Sequence, residues 1–86
     1  MRIQAPADAI PVEIESLLGN GDYAKCARFN MWIIRAPNGD LGSFKNPPFV
    51  IEEHEDGTIT VGPASMQFNT GNRYHGYLKR GLWTQA

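Results

Sequence analysis

The chain has 86 residues, 42% of them hydrophobic and 20% charged, with nine glycines and six prolines, a composition that fits one small, turn-rich globular domain and excludes a disordered tail. Eight basic against nine acidic residues leave a formal net charge of −1, so no global field draws the chain onto nucleic acid or an anionic membrane, and such a partner would need a local patch. Cys26 is the one cysteine, which excludes an internal disulfide and a cysteine pair for structural zinc and fits a reducing compartment.

Residues 1–22 read as a lead-in to the rest of the single domain 1–86. They hold neither a basic start followed by an apolar run nor a stretch of membrane-spanning length, so the expectation is a soluble, cytoplasmic protein with no membrane partner. Within them PVEIESLL predicts about two helical turns, with Pro11 at the first helical position and Gly19-Asn20-Gly21 as terminator. Val12, Ile14 and Ser16 also alternate with Glu13, Glu15 and Leu17, so a short strand competes with the helix.

From Tyr23 onward the punctuation becomes three-residue clusters ending in glycine: Pro37-Asn38-Gly39, Glu55-Asp56-Gly57 and Lys79-Arg80-Gly81. A type I turn followed by a left-handed residue closes such a hairpin loop, and glycine takes the left-handed position at least cost. The first hairpin is expected to join a strand over 25–35 to one over 41–45, pairing Trp32 with Phe44 and Ile34 with Gly42. Pro47-Pro48 then predicts an extended connection. In the second hairpin, the three-residue loop places Ile51 opposite Val61 and Glu53 opposite Ile59. Phe49, Ile51, Ile59 and Val61 then share one face, whereas a two-residue Asp56-Gly57 loop would split the apolar set. His54 falls on the other face with Glu52, Thr58 and Thr60. Met66 and Phe68 extend the alternation until Asn69-Thr70-Gly71-Asn72 interrupts it. The fold class that follows is mainly β, an antiparallel meander forming a curled sheet or small open barrel.

The last cluster predicts Leu78 opposite Leu82, Tyr77 opposite Trp83 and His75 opposite Gln85. That register sends both leucines to the core and puts His75, Tyr77 and Trp83 together on the other face. With Arg73, Tyr74, Lys79 and Arg80 they form the candidate binding set, an aromatic and basic surface suited to a protein partner or to self-association. The competing reading is that the rings cover a small core and that the cations form a solvated hairpin tip. The same rings and cations are what a single-stranded nucleic-acid binder would use. Gly76, inside the strand, marks a bulge or a close backbone approach.

Catalysis has no motif behind it. Cys26, Ser43 and Ser65 would each need a base that no local elbow or triad signature supplies, and the glycines do not form a phosphate-cradling loop. Cys26, His54, His75 and scattered carboxylates lack ligand spacing, so neither a metal nor another cofactor is expected; a metal-dependent enzyme built on His54 and His75 is the remaining alternative. The run Glu52-Glu53-His54-Glu55-Asp56 could attract a cation but reads more simply as a solvated edge.

The segment DGTITVGPASMQFNTGNRYHGYLKRGLW resembles a group of small phage and prophage proteins of unknown function. The corresponding pieces are Cys26, Trp32, Pro63-Ala64-Ser65-Met66 and Tyr74-His75-Gly76-Tyr77-Leu78. Members often carry paired cysteines; here Ala27, Arg28 and Phe29 follow Cys26, so the resemblance carries no metal site with it. It implies a phage or mobile-element setting, in the host cytoplasm, and action by contact with a macromolecule.

Overall fold

The structure, a computed structural model, describes all 86 residues. Helix α1 (Pro11–Glu15) precedes seven strands: β1 (Tyr23–Cys26), β2 (Met31–Arg35), β3 (Leu41–Lys45), β4 (Val50–Glu53), β5 (Ile59–Gln67), β6 (His75–Lys79) and β7 (Leu82–Gln85). The strands form two antiparallel sheets in sequence order, β1-β2-β3 and β4-β5-β6-β7. The mainly β meander is therefore present, divided into two sheets that do not close into a barrel.

Alternation along each strand decides the layers. Trp32, Ile34 and Phe44 of the first sheet meet Ile59, Val61, Met66 and Leu78 of the second, with Phe68 just beyond β5, in one core. Ala24, Cys26 and Ile33 point the opposite way and pack with Ala9, Ile14 and Leu18 in another. The first sheet is thus buried on both faces, which is why β2 carries three consecutive buried residues. Each fully buried Ile, Leu or Met contributes about 1.5–3 kcal/mol relative to exposure. No helix or strand packs on the outer face of the second sheet. No helix is long and apolar enough to cross a membrane.

Helix α1 forms where expected but is shorter than two full turns. Pro11 opens it, and the Glu13 carboxylate reaches back to accept the Ile10 N–H at 2.9 Å. Its end is fixed from outside. The Arg35 guanidinium donates to the carbonyls of Leu18 (2.8 Å), Glu15 (3.2 Å) and Gly39 (2.9 Å), tying the helix exit to the β2–β3 turn. The Leu18 carbonyl has no other partner at this helix exit, whereas that of Glu15 also accepts the Leu18 N–H at 3.2 Å.

Two of the expected hairpins form in the expected register. Trp32 faces Phe44 and Ile34 faces Gly42; Ile51 faces Val61 and Glu53 faces Ile59. Gly39 and Gly57 take the left-handed position, at φ +96° and +87°. Gly42 is required for packing, because a Cβ there would lie 2.8 Å from the Phe44 ring and 3.0 Å from Phe68.

Three expectations are corrected. The stretch 25–35 is not one strand: β1 and β2 are themselves a hairpin, joined through a 3-10 turn at Ala27–Phe29 and Asn30 at φ +50°. The prolines 47–48 do not extend the chain. They lie in a turn closed by the Phe49 N–H on the Lys45 carbonyl (3.0 Å), which carries the chain between sheets and sets Phe49 edge-on to Phe44 at 5.1 Å. The last hairpin is one residue out of the expected register: Lys79 faces Leu82, Leu78 faces Trp83, Tyr77 faces Thr84 and Gly76 faces Gln85. Its loop is the two-residue Arg80-Gly81, both at positive φ (+46° and +77°), a type I′ geometry whose twist matches that of the strands.

Candidate functional site

A shift of one residue exchanges the faces of a strand, and here it divides the expected binding set. On β6, His75, Tyr77 and Lys79 point outward, while Gly76 and Leu78 point into the core. On β7, Leu82 and Thr84 share the outward face, opposite Lys79 and Tyr77. Trp83 turns inward. Its ring packs edge-on to Tyr74 at 5.6 Å and tilted against Phe68 at 6.4 Å, and its Nε1–H donates to the Gly21 carbonyl at 3.1 Å. Tyr74 is buried and also meets Phe68 edge-on at 6.0 Å. Tyr74 is therefore a core residue and Trp83 packs, partly buried, against that core, so the expected grouping of His75, Tyr77 and Trp83 on one face does not occur.

Gly76 sits beneath this aromatic cluster. A Cβ there would lie 2.5 Å from the Thr84 carbonyl and 2.8 Å from the Tyr74 ring, so the close approach suggested by its place in the strand is real.

Arg73 is exposed at φ +56° in the loop leading to β6. That loop is held from a distance. The buried Asp40 carboxylate, at the end of the β2–β3 turn, accepts the backbone N–H of Tyr74 (2.8 Å) and of Asn72 (3.1 Å) and the Asn38 side-chain amide (3.0 Å). These donors, the Tyr74 N–H foremost, hold the Asp40 carboxyl below the usual aspartate range. Asp40 is not marked out in the sequence, because nothing local distinguishes an aspartate that caps its own turn from one that also binds a loop more than 30 residues away.

The outward residues form one continuous surface. Lys79 Nζ lies 5.9 Å from the centre of the half-buried Tyr77 ring. Leu82, expected in the core, is instead 73% exposed. Arg80 stands at the tip, its N–H donating to Thr60 Oγ1 (3.0 Å), and the same hydroxyl meets His54 Nε2 at 2.7 Å. His75 Nε2 lies 2.7 Å from Ser65 Oγ on the neighbouring strand.

The Ser65–His75 contact supplies a base beside a hydroxyl that local sequence could not show. A serine nucleophile also needs the second ring nitrogen oriented and donors placed for an oxyanion. The Nδ1 of His75 has no hydrogen-bond partner within the chain, and although His75 borders a cleft with Arg73, Tyr74 and Gln85, Ser65 does not line it, so the pair shares no cavity that would hold a substrate. The contact fixes the His75 ring and leaves one nitrogen free for a partner. The two histidines are each engaged by a hydroxyl, and no group of three or more His, Cys, Asp or Glu side chains is assembled in the structure. Cys26 is fully buried, with its Sγ 3.6 Å from the Ala9 carbonyl.

The acidic run is divided as well. Glu53 turns toward the first sheet, pairing with Arg2 (3.0 Å) and Lys25 (3.1 Å), and the hydrogen bond from Lys25 is the main cause of its lowered pKa. Arg2 stacks over Trp32, 4.9 Å from the ring centre. Asp56 is lowered chiefly by the Thr58 hydroxyl, which donates to it at 2.6 Å within the β4–β5 turn. These two carboxylates serve the fold, whereas the surface around Tyr77 and Leu82 is engaged by nothing else in the chain. No protein-family model matches the sequence, and no curated protein or solved structure matches it significantly.

Proposed function

We propose that the protein is a non-catalytic binding module that contacts a protein partner through the outer face of β6 and β7. The observation that carries this reading is Leu82, 73% exposed beside the half-buried Tyr77, on the sheet face that nothing within the chain covers. An apolar and aromatic centre with cations at its border is the composition of a protein contact. His75, Lys79 and Arg80 supply that border and suit a partner with acidic groups around an apolar patch. The Tyr77 ring supplies rigid contact area at low entropic cost.

A single-strand nucleic-acid reading draws less support from the same surface. Such binders stack successive bases on several rings, and with Tyr74 in the core and Trp83 packed against it only Tyr77 is left on this face. The resemblance to phage proteins fits either reading and favours neither.

The test places a photo-crosslinking amino acid at position 82 and, as control, at the also exposed Val12 on the opposite layer. Crosslinking is then carried out in cells that produce the protein. A discrete protein adduct from position 82, absent from position 12 and reduced by Lys79→Glu with Arg80→Glu, supports the reading. Adducts that are the same from both positions, or none from position 82, would overturn it. Saturable, salt-sensitive binding of oligo(dT) abolished by Tyr77→Ala would select the nucleic-acid alternative.

A further inference from the structure

We infer that the cleft between β3 and the C-terminal end of β5 with the loop after it is a second binding site, one that takes an extended peptide segment bearing a lysine or arginine. The cleft has a volume of about 590 Å³ and lies where the two sheets part, bordered by residues 39–44 on one side and 67–71 on the other. Phe44 and Phe68, 5.2 Å apart, close its floor.

Both walls present unpaired backbone. In an antiparallel ladder, alternate residues direct their N–H and C=O toward the partner and the rest direct them away. Ala36 donates to Asp40 across the β2–β3 turn, so the even-numbered residues of β3 face β2 while Leu41, Ser43 and Lys45 face outward. The Leu41 and Lys45 carbonyls confirm this parity by accepting Thr70 Oγ1–H and the Phe49 N–H. Ser43, midway along, has neither backbone group engaged by the chain.

The opposite wall follows the same logic. β4 pairs with β5 only as far as Gly62, and the register then shifts before Met66. Phe68 donates to Tyr74 and Ala86 to His75, so the backbone of Gln67 points away from β6, toward the side that β4 has vacated. A free strand edge is a template for a further strand, and a groove edged by free backbone on both sides matches an extended segment better than a helix or a compact small molecule.

Charge selects the side chain. Two carboxylates border the cleft, Asp40 and Glu15. Asp40 is fully occupied by the loop amides, whereas the Glu15 carboxylate makes no ion pair or hydrogen bond within the chain. No cation borders the cleft. The Arg35 guanidinium binds the Glu15 and Gly39 carbonyls but forms no ion pair with the Glu15 carboxylate, so a basic residue of the segment would find at Glu15 an acceptor that no cation of the chain has paired.

The experiment pans the full chain against a displayed random octapeptide library and titrates the selected peptides into isotopically labelled protein. The expected result is enrichment of peptides containing Lys or Arg, with slowed hydrogen exchange at the Ser43 and Gln67 amides on binding. Ser43→Pro removes one outward N–H from an edge strand while leaving the β2 ladder intact, and should weaken binding about tenfold. Glu15→Gln should weaken it about threefold and erase the preference for basic residues. Leu82→Ser should leave it unchanged, which separates this site from the β6–β7 face. Failure of any sequence to enrich over Ser43→Pro, or binding that leaves both amides exchanging as before, would overturn the inference. The amide readout on the unmodified chain decides the matter even if Ser43→Pro fails to fold.

Discussion

The Asp40 carboxylate accepts the Tyr74 backbone N–H at 2.8 Å, joining the β2–β3 turn of one sheet to the loop that enters β6 of the other. Because this and the Asn72 N–H favour the ionised form, Asp40 titrates below its ordinary value of 3.8. A carboxyl depressed in the folded state stabilises the fold above its unfolded pKa and loses that contribution as pH falls through the folded value. Wild-type urea midpoints should therefore decline below about pH 4, and Asp40→Asn should show a lower midpoint at pH 7 and a flatter acid limb. Equal acid limbs in the two proteins would remove Asp40 from this role. Gly71, at φ +57° with its Cβ position directed at Asp40 Oδ1, should tolerate alanine poorly, losing about 1–3 kcal/mol.

Arg80 is a non-glycine residue at φ +46° in the two-residue β6–β7 loop. Asparagine occupies this conformation more readily. Arg80→Asn should raise stability by about 0.5–1 kcal/mol, measured by chemical denaturation. A loss of stability would mean that Arg80 makes a stabilising interaction beyond the turn.

Trp83 combines partial burial with the Nε1–H bond to the Gly21 carbonyl. In Trp32→Phe, its fluorescence should be quenched by acrylamide well below the rate of a free indole. Trp83→Ala should cost about 2 kcal/mol, less than the roughly 3–5 kcal/mol of a fully buried ring. Quenching at the free-indole rate would return the ring to the open surface.

Arg35 bonds three carbonyls at once, from two segments. A lysine has the charge but not the planar fork. Arg35→Lys should lose about 1.5–3 kcal/mol and increase hydrogen exchange in residues 14–18. An unchanged exchange pattern would show that α1 is held by apolar packing alone.

Glu53 bridges Arg2 and Lys25, but its side chain and that of Lys25 are each 41% exposed. Solvent screening limits such pairs. Glu53→Gln should cost no more than about 1 kcal/mol, with the difference from wild type shrinking in high salt. A larger loss, insensitive to salt, would point to the Arg2 stacking on Trp32 as the part that depends on Glu53.

Sequence determined the elements wherever alternation and turn chemistry agreed. Between Ile51 and Val61 only one loop length keeps the apolar residues on one face, so the register followed. Trp32 opposite Phe44 is another instance. The last hairpin offered two answers, because Leu82 and Trp83 are adjacent and both apolar, and either could face inward. Tertiary structure chose Trp83, since the Gly21 carbonyl and the Phe68–Tyr74 pocket suit an indole with one donor, and these partners lie far away in sequence. That choice moved Leu82 to the surface and divided the expected binding set. Likewise, the turn at Ala27–Phe29 and Asn30 that separates β1 from β2 leaves Ala24 and Cys26 in a second core beneath α1. Local periodicity reports that a residue is apolar and which neighbours share its face; which of two faces becomes the core is decided by what packs against it.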